Sequence, residues 1–299
     1  MLVCSARQVK TMLASADLTT ASSQRRQELL ERVRHFENNL IPLRRSLRFQ
    51  KMEIPLSPAT LKIQAFGEAQ VYLDGKPITS SEWQTQATRE LFFLILSQPQ
   101  GLVKETPGEI LWPGSTHAQL NNRFKNAIYR LRRALRQDVI FFDRERYSFN
   151  RNLDYTYDVE RFEQLLLQVE EEKSPQFRKE MLEEVVQIYR GDYLSDINGA
   201  WVMAEREHLR QVFLDAGIQL AAFYMDDMEP EKVLEICQRL ISMDGCFERA
   251  YYLAMQALAA KNDIPGVVRL YEKLQTNLEK ELGIAPSLQA STLFHSVVH

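Results

Sequence analysis

The chain has 299 residues, of which 45% are hydrophobic and 26% charged, and its formal net charge is -3. This length predicts two or three domains, and this composition argues against a wholly disordered chain. The three cysteines lack the spacing of a zinc site or a disulfide framework, no apolar run exceeds six residues, and the N-terminus lacks a signal-peptide core, so we expect a soluble cytoplasmic protein without cofactors or metals.

The first predicted segment, residues 1–59, is helical and without recognisable chemistry. Ser22 and Ser23 can cap a helix whose apolar residues recur at helical spacing. A basic stretch follows at 41–52. We interpret this stretch as a solvated or interdomain surface, with an auxiliary phosphate contact as the alternative. No function is assigned to residues 1–59.

The second predicted domain, residues 60–153, begins with a small antiparallel sheet. Two segments alternate apolar and polar residues, and Asp74-Gly75 supplies a hairpin turn signal before a short third strand. Three helices are then predicted, at 85–98, 104–111 and 118–136. The runs VIFFD and RYSFN predict a closing hairpin. Sheet, three helices and hairpin in this order indicate a winged helix-turn-helix.

The third of these helices, 118–136, has one apolar and one basic face. Between residues 118 and 147 there are eight Lys or Arg side chains against three Asp or Glu. The apolar stripe consists of Leu120, Phe124, Ala127, Ile128, Leu131 and Leu135. Such a helix fits the DNA major groove, where Arg reads guanine and Asn reads adenine. The alternative is a solvated basic face without a ligand.

The candidate DNA-binding residues lie on the outer face of this helix and at the hairpin. They are Asn122, Arg123, Lys125, Asn126, Arg130, Arg133, Arg144 and Arg146. Tyr129 shares the outer face and is as well suited to pack on a neighbouring helix as to touch DNA. No catalytic or metal-binding residue is predicted.

The third predicted domain, residues 154–299, is entirely helical. Helices are predicted near 158–172, 175–190, 200–226, 229–243, 246–261 and 263–280. The segments PEKVLEICQRL and PGVVRLYEKL begin 35 residues apart, close to the ~34-residue tetratricopeptide period. Residues 158–299 contain 25 acidic and 14 basic side chains. Because this surplus of negative charge repels a nucleic-acid backbone, we expect the domain to contact protein.

Several motifs resemble known bacterial regulators. Residues 111–113, LWP, and 128–135, IYRLRRAL, resemble the OmpR/PhoB-type winged helix. The segments YDVERFEQLL, YRGDYLSD and ELGIAPS resemble the bacterial transcriptional activator domain. The two modules in this order are typical of SARP-type transcriptional regulators. The hairpin keeps Tyr147 but lacks the glycines of the family's wing turn, and its Glu145 opposes a close phosphate contact.

The resemblance implies a mainly α protein with a small β component, in which a tetratricopeptide-like bundle follows a winged helix-turn-helix domain. In this family the outer face of the recognition helix contacts bases and phosphates. The helical domain serves self-association or contacts the transcription machinery. The implied partners are double-stranded DNA, RNA polymerase or another protein, and further copies of the chain on DNA repeats, within the bacterial nucleoid and without a membrane.

The leading hypothesis is therefore a sequence-specific DNA-binding transcriptional regulator, an activator rather than a repressor. The alternative is a helical-repeat interaction scaffold whose winged helix does not bind DNA. An enzyme is the third class, but the five His residues are scattered and the sequence contains no HExxH, GxSxG or GxxxxGK[ST] motif.

Overall fold

The structure, a computed structural model, describes residues 61–136 and 138–298. The predicted N-terminal helix and the basic stretch at 41–52 lie outside these residues. None of the helices in the described ranges is long and apolar enough to cross a lipid bilayer.

The described residues form two compact units. Leu61 and Lys62 group with Val71–Thr156, and we call this the winged-helix unit. Ile63–Gln70 group with Tyr157–His299, and we call this the helical unit.

Mainly helical structure with a small β component is confirmed. The strands in the described residues are β1 (Leu61–Gln64), β2 (Gln70–Leu73), β3 (Lys76–Pro77), β4 (Ile140–Asp143), β5 (Arg146–Phe149) and β6 (Tyr155–Tyr157). The first four helices are α1 (Ser80–Trp83), α2 (Gln86–Leu96), α3 (Glu105–Leu111) and α4 (His117–Leu135). The others are α5 (Asp158–Glu171), α6 (Pro175–Ile188), α7 (Ala200–Asp226), α8 (Pro230–Met243), α9 (Glu248–Ala260), α10 (Ile264–Leu282) and α11 (Leu288–Val298).

The strands form two sheets, a four-stranded one in the order β3-β2-β1-β6 and the β4–β5 hairpin. The predicted turn joins β2 to β3, and both Asp74 and Gly75 have positive φ angles, as a two-residue hairpin turn requires. Strand β6 is not predicted from the sequence. It has only three residues and runs directly into α5, so it offers no alternation to detect.

The core of the winged-helix unit is formed by α2 and α4. All six residues from Leu91 to Leu96 are buried, and Trp83 of α1 packs on Phe92 with ring centroids 5.8 Å apart. The three predicted helices are present with ends within two residues of the prediction. Helix α1 was not predicted, because it is a single turn held by a capping box between Thr79 and Glu82.

The helices of the helical unit are α5 to α11. Each helix from α5 to α10 packs against the next one in sequence, as expected of a tetratricopeptide-like arrangement. Helix α11 was not predicted. Its sequence is LQASTLFHSVV, which contains no Asp, Glu, Lys or Arg, and Ala290 is its one fully buried residue. The helix is held by a tertiary contact, in which the ring of Phe294 stacks on that of Tyr271 in α10 with the centroids 4.2 Å apart.

Asp158, the first residue of α5, is one anchor of the segment Ile63–Gln70 in the helical unit, beside backbone hydrogen bonds between this segment and the loop after α6. Its carboxylate accepts hydrogen bonds from the backbone N–H of Ala65 at 2.8 Å and of Phe66 at 3.1 Å. Arg190 donates to the same carboxylate at 3.0 Å. Burial raises the pKa of Asp158, and these hydrogen bonds oppose the rise. The Phe66 ring then packs on Phe162, 5.0 Å away.

The YRGDYLSD motif forms the loop after α6, and arginines satisfy its polar groups. Arg206 donates to the carbonyls of Tyr193 at 2.7 Å and Ile197 at 2.8 Å. Arg210 pairs with Asp192. The YRGDYLSD motif therefore has a structural role, because it forms a loop whose carbonyls accept hydrogen bonds from Arg206 of α7.

Candidate nucleic-acid interface

Helix α4 is positioned by its N-terminal cap and by its apolar stripe. Thr116 and Gln119 form a capping box at its first turn. The stripe is buried along the helix, except for Leu120, which is half-buried, and it also includes Ala134. Because the two faces of a helix are opposed, this packing turns the polar side chains of α4 to the surface.

The predicted site residues of α4 lie on that surface. The exposed ones are Asn122, Arg123, Lys125, Asn126 and Arg133. Arg130 is half-buried at the border of the face. Arg123 donates to the Ser115 hydroxyl at 3.0 Å, which orients its guanidinium toward the start of the helix. Tyr129 lies on the same face, and 65% of its surface is exposed.

The charge of the α4 surface is of one sign. The helix contains five Lys or Arg side chains and no Asp or Glu. Arg132 of the helix pairs with Asp138 at 3.3 Å, and both side chains are more than half exposed. An exposed pair of this kind is strongly screened by water. The outer face of α4 therefore offers a concentrated positive potential.

The β4–β5 hairpin, the predicted wing, turns at Arg144 and Glu145. Both residues have left-handed φ angles, 47° and 62°, which glycine would adopt more easily. The Arg144 side chain is 90% exposed and lies 3.9 Å from Asp143. Arg146 donates to the Gly101 carbonyl at 3.0 Å, so part of its guanidinium holds the hairpin to the loop after α2.

An aromatic chain connects the hairpin to α4. The Tyr147 ring lies 4.6 Å from Phe124 of α4 and 4.6 Å from Phe142 of β4. Burial raises the pKa of the Tyr147 hydroxyl. Phe142 is 59% exposed at the outer end of this chain. Sequence reasoning missed Phe142 because VIFFD is typical of a buried strand.

The base of the hairpin depends on Gly101. Its φ angle is +72°, and a Cβ there would lie 2.9 Å from the Tyr147 carbonyl oxygen, a backbone atom of β5. Gly114, in the turn between α3 and α4, has nearly the same φ, +73°, but open space around its Cβ position. Substituting alanine at Gly114 would therefore introduce backbone strain alone, whereas alanine at Gly101 would introduce the same strain and a steric clash.

We expect both Gly101→Ala and Gly114→Ala to reduce the free energy of unfolding, by different amounts. Gly114→Ala carries only the left-handed penalty, about 1–2 kcal/mol. Gly101→Ala adds an overpacking cost of about 1–3 kcal/mol, because backbone atoms of β5 must shift. Urea denaturation of the two variants measures the difference. Equal losses would show that the contact with Tyr147 relaxes without cost.

Comparison with known proteins identifies the helical part of the chain. Residues 157–298 match the family described as the bacterial transcriptional activator domain. Residues 157–298 are a bacterial transcriptional activator domain. This activator domain comprises α5 to α11, and it contains the YRGDYLSD loop and the Asp158 cluster described above.

A solved structure with the same fold is that of EmbR from Mycobacterium tuberculosis, determined in complex with a low-affinity phosphopeptide. The TM-score is 0.66 and the sequence identity 16%, over 80% of this chain and 65% of the EmbR chain. The present chain thus spans less than two thirds of EmbR. No curated protein sequence matches the chain. The resemblance to a winged helix followed by an activator domain is confirmed.

Proposed function

We propose that the protein is a SARP-type transcriptional regulator that binds double-stranded DNA through α4 and activates transcription. One observation carries this proposal. A 19-residue helix with five basic and no acidic side chains presents its polar face to solvent, while its apolar stripe is seated in the core of the winged-helix unit.

The polar face of α4 has the chemistry of a major-groove reader. Asn126 and Asn122 can pair with the edge of adenine, and Arg130 and Arg133 with guanine. Arg123 and Lys125 are assigned to the phosphates, together with Arg144 and Arg146 of the hairpin. The helix is about 28 Å long, which is enough to lie along the groove across several base pairs.

The activator domain is assigned to protein contacts. Its surplus of acidic side chains disfavours the DNA backbone and suits a partner with basic surfaces, such as RNA polymerase or another protein. Side-by-side copies on DNA repeats are the arrangement that we propose for self-association. The role is non-enzymatic and needs no cofactor, and it places the protein at the nucleoid in the cytoplasm.

Selection from a random oligonucleotide pool, followed by a salt titration of the selected site, tests the proposal. We expect one sequence to be enriched and log Kobs to fall with log salt at a slope of about -4 to -5, for roughly four to six phosphate contacts. A pool without enrichment, or binding that salt does not weaken, would contradict DNA recognition by α4.

A scaffold whose winged helix does not bind DNA is the second candidate. The observation in its favour is the hairpin tip, where Asp143 and Glu145 offset Arg144 and Arg146. This candidate predicts no enriched sequence in the same selection, together with retained protein binding by the activator domain. The single-signed charge of α4 makes it the weaker candidate.

A further inference from the structure

The wing hairpin has a neutral tip and an exposed aromatic side. Asp143 and Glu145 offset the two arginines there, so charge alone attracts a DNA backbone to the tip weakly. Next to the tip, Phe141 and Phe142 are 45% and 59% exposed. Two neighbouring exposed phenylalanines on one strand are unusual for a solvated surface.

The two phenylalanines point to opposite faces of β4, because side chains alternate along a strand. Phe142 shares its face with Ile140, which is buried, and it stands opposite Tyr147 in the hairpin register. Phe141 stands opposite Ser148. Only Phe142 therefore belongs to the face of the hairpin that packs toward α4.

The position of Phe142 relative to α4 is set by ring contacts. Tyr147 bridges Phe142 to Phe124, with both centroid distances 4.6 Å. Phe124 lies on α4 between Arg123 and Lys125 in sequence, within the stretch assigned to DNA. Tyr147 is itself fixed by a two-way backbone pairing with Leu102, at 2.8 and 2.7 Å. Phe142 is thus linked through Tyr147 to the buried stripe of α4, the helix whose outer face carries the candidate DNA-binding residues.

We propose that Phe142 contacts the deoxyribose face of the DNA backbone that flanks the groove occupied by α4. This inference rests on the proposed function. The C–H surface of deoxyribose is the apolar part of the backbone, and it lies between the phosphates that the arginines and Lys125 would contact. An aromatic ring there removes apolar surface from water without adding charge. The contact positions the duplex and carries no sequence information.

Phe142→Ala tests the inference in the full chain, with Phe141→Ala as a matched control on the opposite face. We expect Phe142→Ala to raise Kd about tenfold for the selected site and for unrelated DNA alike, since burying a large part of a phenyl ring is worth about that factor. The slope of log Kobs against log salt should stay unchanged. Arg144→Gln, by contrast, should make that slope shallower by about 1.

Phe142→Leu and Phe142→Gln separate apolar contact from hairpin integrity, which thermal unfolding monitors in each variant. We expect Leu to restore most of the affinity and Gln to behave like Ala. Unchanged DNA affinity in Phe142→Ala would overturn the inference, and so would equal losses in Phe141→Ala. A loss of affinity for the selected site but not for unrelated DNA would also overturn the inference, because it would indicate a contact to a base, such as a thymine methyl group, instead of to the sugar.

Two further results bear on the inference separately from the proposed function. If Asn126→Ala and Arg130→Ala weaken binding while Phe142→Ala does not, α4 reads DNA and the aromatic contact is wrong. If Phe142→Ala leaves DNA binding intact but abolishes activated transcription, the ring contacts a protein instead, and the inference is also wrong.

Discussion

Asn126→Ala and Arg130→Ala should each weaken binding to the selected DNA site by about 10- to 100-fold, or roughly 1–3 kcal/mol, and relax specificity at one base position. Asn126 lies on the exposed face of α4, and Arg130 lies at its border with part of its surface accessible. Neither residue belongs to the buried stripe, so the free energy of unfolding should change by less than about 0.5 kcal/mol.

The matched control for the loss of one positive charge is Arg249→Ala. Arg249 is 59% exposed and pairs with Asp215 at 2.6 Å in the activator domain, away from α4 in sequence and in the other unit. The affinity of the Arg249→Ala variant for the selected site should stay within about twofold of that of the unchanged protein. Fluorescence anisotropy at fixed salt measures all three variants. Unchanged affinity in both α4 variants would remove the assignment of α4 as the reading helix.

Asp158→Ala should destabilise the helical unit by about 2–6 kcal/mol, because it removes the acceptor of the backbone N–H groups of Ala65 and Phe66, at about 1–3 kcal/mol each. The carboxylate is 10% exposed and accepts from the backbone N–H groups of Ala65, Phe66 and Val159, and from Arg190. Alanine leaves Ala65 and Phe66 without these acceptors and Arg190 without this carboxylate. Unsatisfied buried donors are expensive because they have given up water as a partner.

Asp215→Ala provides the comparison for Asp158→Ala, since it also removes an aspartate paired with an arginine. Its carboxylate is 60% exposed, so we expect a loss below about 1 kcal/mol. Urea unfolding followed by circular dichroism at the helix band gives both values. If the two variants lose the same stability, the backbone hydrogen bonds of Asp158 contribute little. Asp158→Ala should also speed amide exchange at Ala65 and Phe66, whereas Gly67 and Ala69, which donate to other acceptors, should change less.

The sequence was most informative where local periodicity and packing agree. In α4, the apolar residues recur at helical spacing, and the structure buries them together while it exposes Asn122, Asn126 and Arg133. One apolar stripe suffices to orient a helix, because burying it determines which side chains remain outside. The same reasoning located the helices of the activator domain from α5 to α10.

Short elements and contacts between distant residues were not accessible in this way. Strand β6 and helix α1 have three and four residues, too few to show a period. Helix α11 carries no Asp, Glu, Lys or Arg, and its exposed polar residues are Gln289, Thr292, His295 and Ser296, which mark an amphipathic helix less clearly than charged residues do. The sequence around Phe142 is typical of a buried strand. In the structure Phe142 lies near the end of the hairpin, opposite Tyr147, and its ring is exposed.

The amino-acid sequence by itself determined the positions of the helices other than α1 and α11, which face of α4 is polar, and where the acidic and basic parts of the chain lie. These properties follow from neighbours a few residues apart, whose spacing sets the buried face. Tertiary structure alone decided that Ile63–Gln70 groups with α5 and its successors through Asp158, 93 residues from Ala65, and that Tyr147 joins the hairpin to α4. Such pairings depend on how the chain closes long loops, and no local pattern encodes that choice.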